Sequence, residues 1–256
     1  MDFKFIETAQ EGRVLTVTFN RPDKLNSWNE GLVDELTHLL SESAMDSNVR
    51  VLIITGKGKG FSVGGDLDEF LKYDAAGIEK FNRKVIDLFR QMEHLRKPII
   101  AAVNGFCNLE TIQAVDLVVT SNKAKFGLPE VNVAISPGAG ILVRLPRNIS
   151  KLKAKEIALL GEWMTADTAL SLGLVNYVTQ PEELLTKAAE IAKTLAEKAP
   201  LAMGAIKAVI NNGPHLGTDE AMEYQLKENS SLFYTEDLKE GVQAFLQKRK
   251  ASYKGK

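Results

Sequence analysis

Two glutamates and a pair of glycines are the residues of this chain whose types and spacing suit them to chemistry. Glu110 lies in the first turns of an apolar helix after the strand-like run IIAAV, and Glu130 ends the run FGLPE, just past a turn at a strand end. Both fall near the C-terminal edge of the sheet these strands imply, where open α/β sheets place their ligands. Two carboxyl groups in a largely apolar pocket can differ in pKa, one protonated and one ionised, which is what acid/base delivery of water requires. The glycine pair in FSVGGDL (61–67) lets the backbone approach a ligand closely, and outward-facing N–H groups stabilise a developing oxyanion. Most glutamates on helices are solvated, so the pair gains its meaning only from the elements around it.

Other chemistries find less support. Gly60-Phe61-Ser62-Val63-Gly64 satisfies GxSxG, yet Gly56 to Gly60 separate the preceding strand from Ser62, whereas a nucleophile elbow needs its serine directly between strand and helix. A serine hydrolase using Ser62, with His94 or His215 as base, is therefore a remote alternative. His38, His94 and His215 are widely separated and form no ligand pair, so no metal site is expected and all three read as structural or surface residues. The loop GKGKGFSVGGD (56–66) satisfies neither GxxxxGK[ST] nor GxGxxG, which disfavours nucleoside triphosphates and dinucleotides. The single cysteine, Cys107, excludes an intramolecular disulfide and a thiolate zinc cluster.

The elements that must position these residues follow a clear order. VLTVTF (14–19) reads as a strand ended by the breaker NRPDK, and Leu32, Val33, Leu36, Leu39 and Leu40 form one stripe of a following helix. VRVLIIT (49–55) and IIAAV (99–103) are nearly continuous apolar runs, predicting strands buried on both faces of a parallel sheet. Between them Ile78, Phe81, Val85, Leu88, Phe89, Met92 and Leu95 mark a long amphipathic helix ended by Pro98. A short helix after Gly105, the strand LVVT (117–120) and a turn at Gly127 to Pro129 come next; beyond residue 138 helical patterns dominate, except at LVNYV (174–178). The expectation is one α/β unit, residues 1–195 forming the core with the ligand site and 196–256 a helical region for oligomerisation. The basic tail KRKASYKGK (248–256) reads as a solvated, frayed terminus.

Composition sets the remaining bounds. With 45% hydrophobic and 25% charged residues the 256-residue chain has the balance of an ordinary globular protein. Its 32 basic and 33 acidic side chains leave a net charge of −1, so nothing draws it in bulk to nucleic acid or an anionic membrane, and an anionic ligand must be held locally. No apolar run approaches the ~18 residues of a membrane span, and MDFKFIETAQ lacks a signal-peptide pattern. A cytoplasmic location is expected.

Read together, the segments resemble the crotonase (enoyl-CoA hydratase/isomerase) superfamily over essentially the whole chain. NRPDKLNSW resembles the N-terminal turn of that family, FSVGGDL its first oxyanion-hole segment, KPIIAAVNGF its central strand and AKFGLPEVNVAISPGAG its second catalytic segment. TADTALSLGLVNYV resembles its helix-to-strand passage and TEDLKEGVQAFLQKRK its C-terminal helix. The resemblance implies a spiral of ββα turns with a helical trimerisation region, acting on an acyl-CoA thioester through an enolate-like intermediate, with no cofactor beyond the CoA of the substrate. The implied assembly is a trimer or a dimer of trimers, for which the apolar stripe Leu184, Leu185, Ala188, Ile191, Ala192 and Leu195 is the expected contact.

Carried over residue by residue, the N–H of Gly65 matches the first oxyanion donor, and Glu110 and Glu130 match the two hydratase glutamates. Val63, Asp66 and Leu67 fall in the segment that contacts the adenine end of CoA, with Lys24 and Leu25 nearby. Phe245 and Lys248 resemble the C-terminal aromatic and lysine that touch CoA from a neighbouring subunit; ordinary packing of Phe245 on Val242 and Leu246 is the competing reading. One departure stands out: the family places a run of glycines between NGF and the glutamate, and here only Cys107, Asn108 and Leu109 intervene. The second oxyanion donor then falls to the N–H of Cys107, Asn108 or Leu109. Gly138 stands where dienoyl-CoA isomerases carry an aspartate, and Glu130 where some decarboxylases carry an uncharged residue, so hydration is favoured. Another crotonase-type reaction (isomerase, decarboxylase or hydrolase) and a non-catalytic CoA-binding homologue are the alternatives.

Overall fold

A computed structural model describes residues 3–256. The chain opens with strands β1 (Ile6–Glu11) and β2 (Val14–Phe19), then helix α1 (Glu30–Met45), whose N-terminus is capped by the Asn29 side chain accepting the Leu32 N–H. β3 (Val51–Gly56) and β4 (Gly60–Ser62) lead to a one-turn helix α2 (Leu67–Phe70) and the long α3 (Ala75–His94). β5 (Ile99–Val103) and β6 (Phe106–Asn108) precede α4 (Leu109–Ile112); β7 (Leu117–Ser121) and β8 (Lys125–Gly127) precede a 3₁₀ turn at Pro129–Val133 and helices α5 (Ile141–Asn148) and α6 (Lys151–Leu160). β9 (Met164–Thr165), α7 (Ala166–Ser171), β10 (Tyr177–Thr179), α8 (Leu184–Ala196), α9 (Pro200–Asn212), α10 (Thr218–Ser231) and α11 (Glu236–Leu246) complete the order.

The strands sort into two sheets, and the sorting is the spiral. β1-β2-β3-β5-β7-β10 form one six-stranded sheet and β4-β6-β8-β9 a second, four-stranded one. Each turn of chain sends a strand to the large sheet (β3, β5, β7) and the next to the small one (β4, β6, β8) before a helical segment returns it. Strand β3 shows why its sequence is apolar throughout. Leu52 and Ile54 face the main core with α1 and α3, while Val51 and Ile53 face a second cluster with Ile100, Ala102 and Val119 beneath Leu184, Ala188 and Ala192 of α8.

Three sequence expectations are corrected here. The α8 stripe expected at a subunit contact instead covers the large sheet: Leu184, Ala188 and Ala192 are buried within the chain, with Ile191 and Leu195 packed beside them and Leu185 alone exposed. LVNYV is a strand only from Tyr177; Leu174 and Val175 are core residues of the approach to it. The basic tail is docked. Asp237 is buried and accepts the N–H groups of Lys254 and Gly255 at 2.7 and 2.8 Å, Arg249 and Glu240 form a two-pronged ion pair, and Arg50 donates to the Ala196 and Tyr253 carbonyls.

Candidate active site

The small sheet brings the chemistry together. β4, β6 and β8 are parallel neighbours, and each releases its functional residues from its C-terminal end: Gly64 and Gly65 after β4, Glu110 after β6, Glu130 after β8. Gly65, Glu110 and Glu130 line one cavity of about 280 Å³ with Trp28, Phe70, Ile78, Phe81, Val85 and Ala139 among its walls. Larger cavities, of about 340, 690 and 840 Å³, lie elsewhere and contain neither glutamate.

Gly65 owes its orientation to Trp28. The Trp28 N–H donates to the Gly64 carbonyl at 2.8 Å, and its carbonyl accepts the Asp66 N–H at 2.9 Å, a parallel bridge centred on Gly65. In such a bridge the flanking groups are engaged and those of Gly65 itself face away from the tryptophan. Among the described residues the Gly65 N–H has no acceptor. A Cβ on Gly65 would meet the Phe70 ring at 2.1 Å and displace it, and Gly64 has φ of 97°, a conformation that favours glycine.

The glutamates differ in their surroundings. Glu110 Oε1 accepts the Ala139 N–H at 2.8 Å, and the Ala139 carbonyl in turn accepts from Arg144 Nη1 at 3.2 Å. Burial pushes the Glu110 carboxyl up to about 7; the N–H groups of Ala139 and Ile141 oppose that shift and the neighbouring Glu130 adds to it. Glu130 is also raised by burial, against which the Asn108 side chain acts by donating from Nδ2 to Oε1 at 2.6 Å. Glu130 Oε2 is buried with no hydrogen-bond partner among the described residues.

The other residues singled out in the sequence fall in distinct places. Lys24 and Leu25, on the NRPDKLNSW turn, lie against the segment holding Val63, Asp66 and Leu67: Lys24 pairs with Asp68 at 2.5 Å, Arg21 with Asp66 at 2.6 Å, and Leu25 packs on Gly60. Asn26, buried at φ 57°, stitches the two together by donating to the Lys57 and Gly60 carbonyls. Cys107 is buried in the middle of β6 between Ser62 and Phe126, and burial pushes its thiol well up, so it is committed to the ladder. Leu109, the first residue of α4, has an N–H without an acceptor among the described residues. Phe245 is 83% exposed on α11, outside the cavity, so it does not pack as an ordinary helix residue; Lys248 follows it at φ 54°. Ser62 is fully buried within β4 and its Oγ has no hydrogen-bond partner, which removes the serine-nucleophile alternative. A Cβ on Gly138 would meet Asn82 Nδ2 at 2.4 Å, so an aspartate there would require the Asn82 side chain to shift. Among the described residues no cluster of potential metal ligands occurs.

Sequence reasoning missed Trp28, the Ala139 peptide and the Asn108 side chain. Their contributions are backbone and capping geometry, and only the adjacency of Asn108 to Glu110 hinted at one of them.

The chain is similar to known proteins over nearly its whole length. A family model described as enoyl-CoA hydratase/isomerase matches residues 9–256. The chain is 37% identical over 254 residues to a short-chain-enoyl-CoA hydratase of Clostridium acetobutylicum, covering 98% of this chain and 97% of that protein. It is 36% identical to a crotonyl-CoA hydratase of Syntrophomonas wolfei, with 99% of each covered. The crystal structure of an enoyl-CoA hydratase from Bacillus anthracis superposes with a TM-score of 0.95 at 32% identity, covering 99% of this chain and 100% of that one. The chain belongs to the enoyl-CoA hydratase/isomerase family, the crotonase superfamily.

Proposed function

We propose that this chain is a crotonase-type enoyl-CoA hydratase, adding water reversibly across the double bond of a 2-enoyl-CoA. The observation that carries the reading is the pair Glu110 and Glu130 in one apolar cavity beside the free N–H of Gly65. The thioester carbonyl accepts from Gly65, and the Leu109 N–H, which has no acceptor among the described residues, is offered as the second donor. As negative charge develops on that oxygen, water adds at the β-carbon and a proton reaches the α-carbon. One carboxyl must therefore take a proton and the other give one. Burial leaves Glu110 the more easily protonated, and Asn108 favours the ionised form of Glu130, so Glu130 acts as base and Glu110 as acid in the hydration direction.

Lys24, Leu25, Val63, Asp66 and Leu67 form the surface offered to the CoA adenine end. Phe245 and Lys248 reach the site of a neighbouring protomer in a trimer or dimer of trimers, with 196–256 as the region that assembles. Apolar side chains left exposed on α9, α10 and the following turn, among them Ile206, Ile210, Met222, Leu226 and Phe233, support that assembly. No cofactor beyond the CoA of the substrate is needed. Among the described residues no helix is long and apolar enough to cross a membrane; the proposed setting is the cytoplasm and the proposed role fatty-acid metabolism.

Loss of the conjugated enoyl-thioester absorbance across a panel of short, medium and cyclic 2-enoyl-CoA substrates tests the reading. Micromolar binding of CoA esters with no turnover on any of them would favour a non-catalytic homologue, the reading to which the short Phe106-to-Glu110 stretch lends its only support.

A further inference from the structure

Between Phe106 and Glu110 the chain has three residues, and the side chain of the middle one stands inside the site. Asn108 is 1% exposed. Its Nδ2 donates to Glu130 Oε1 at 2.6 Å, its Oδ1 accepts the Glu110 N–H at 2.9 Å, and a Cβ on Gly64 would stand 2.7 Å from Nδ2. One carboxamide therefore touches the oxyanion-side loop, the start of the Glu110 helix and the Glu130 carboxylate.

We infer that Asn108 is a positioning residue for Glu130: its carboxamide, anchored by the Glu110 N–H and packed on Gly64, fixes one carboxylate oxygen and so orients the carboxylate that takes the proton from the reacting water. This deepens the hydratase reading and rests on it. The orientation of the amide is set by its partners, because the Glu110 N–H can only donate and so must face Oδ1, which turns Nδ2 toward Glu130. Glu130 Oε1 is thereby engaged, while Oε2 is buried and has no hydrogen-bond partner among the described residues. Glu130 lines the same cavity as Glu110 and Gly65. The titratable groups lining that cavity besides Glu130 are Glu110 on α4 and Tyr73 and Asp74 ahead of α3; Arg144 on α5 acts on Glu110 and pairs with Glu93. Asn108 is the one side chain donating to Glu130 among the described residues.

The role separates from mere helix capping by two variants. Asn108→Asp keeps an oxygen for the Glu110 N–H and replaces the donor with an acceptor; Asn108→Ala removes both without adding charge. The test follows the Glu130 carboxyl carbon by NMR titration in protein labelled with ¹³C-carboxyl glutamate, assigned against Glu130→Gln. The expected result is an upward move of the Glu130 midpoint by about one pH unit in the alanine variant and by more in the aspartate variant. With it, kcat should fall about 10- to 100-fold while KM for the enoyl-CoA stays within about threefold. An unchanged midpoint in Asn108→Ala overturns the assignment, even if Asn108→Asp moves it, since repulsion alone would then explain the second variant. Full turnover with an unshifted acid limb in Asn108→Asp overturns it as well and leaves capping as the role. The titration needs no turnover, so an inactive parent protein would count against the hydratase reading while the midpoints still decide the role of Asn108.

Discussion

Glu110 Oε1 accepts the backbone N–H of Ala139, 29 residues downstream, at 2.8 Å. The carboxyl with the most perturbed acidity in the cavity is thus held by a peptide from the SPGAG segment, and that peptide is held in turn by Arg144, itself bound to Glu93 through two contacts of 2.7 and 3.0 Å. The acid is oriented by a chain of polar contacts reaching α3.

This arrangement costs stability in a defined pH window. The Glu110 carboxyl stands at about 7 in the fold against an ordinary 4.5, so as pH rises from about 4.5 to about 7 the unfolded chain ionises this group while the folded one resists. The expected penalty is on the order of 3 kcal/mol, fully developed above pH 7 and absent below 4.5. Glu110→Gln should therefore match the parent in urea denaturation at pH 4.5 and exceed it by a few kcal/mol at pH 8. Equal stability at both pH values would contradict the raised pKa.

Turnover should respond in the opposite sense. Glu110→Gln and Glu130→Gln keep volume and hydrogen bonding but remove the titratable proton, and each should lower kcat by ~10²- to 10⁴-fold with little change in CoA-ester affinity. Because both act on one water, the double variant should be scarcely slower than the worse single one. Full activity in either single variant would refute the two-glutamate mechanism.

The profile of kcat/KM against pH should be bell-shaped. Activity rises as Glu130 ionises, above the usual carboxylate range because burial raises it, and falls as Glu110 loses its proton near 7. The two apparent values belong to the pair, since the carboxylates interact. A plateau extending unchanged beyond pH 9 would show that no protonated glutamate is needed.

A second buried pair tests the attachment of the C-terminal helices. Lys207 on α9 donates to Asp116 Oδ2 at 2.8 Å, to the Met92 carbonyl at 2.8 Å and to the Lys97 carbonyl at 3.2 Å, while Asp116 also accepts the Ile99 N–H. Lys207→Met strands a buried carboxylate and should cost ~3–5 kcal/mol in urea denaturation, with Lys207→Met/Asp116→Asn recovering part of it. A loss under 1 kcal/mol would mean that α9 is held by its apolar contacts alone.

Assembly can be read directly. Light scattering at micromolar concentration should give three or six times the protomer mass, and Met222→Glu with Phe233→Asp should lower it, both side chains being exposed on the protomer. A monomer mass for the parent protein would overturn the trimer and, with it, the reach of Phe245 into a neighbouring site.

What the sequence made legible follows from where the physics is local. Strands β3 and β5 announce themselves because burial on both faces demands unbroken apolar runs, and the glutamates could be placed because strand ends and turns around them are marked by Gly105, Gly127 and Pro129. Strand β1 carried no such mark: it is an edge strand paired with β2 whose residues after Ile6 are exposed. The α8 stripe was readable as apolar, but periodicity gives a face without naming what covers it, and the sheet of the same chain proved to be the answer. At Asn108 the sequence points to a backbone donor, because the glycines it replaces offer nothing else; that its side chain is buried against Gly64 follows only from the fold.

The contact between Gly65 and Phe70 ties reaction rate to substrate range. The ring occupies the space a Cβ at position 65 would take, so the same aromatic that walls the cavity also packs against the peptide carrying the oxyanion donor. Widening the cavity by trimming Phe70, the obvious route for an engineer or for natural drift toward bulkier acyl groups, would remove that packing and leave the Trp28 hydrogen bonds alone to hold the peptide that must stay rigid for charge stabilisation. Any lineage that broadens its acyl preference at this wall leans wholly on the Trp28 bridge at residue 65, and Ile78, Phe81 and Val85 on the α3 side are where the cavity can grow without touching that peptide.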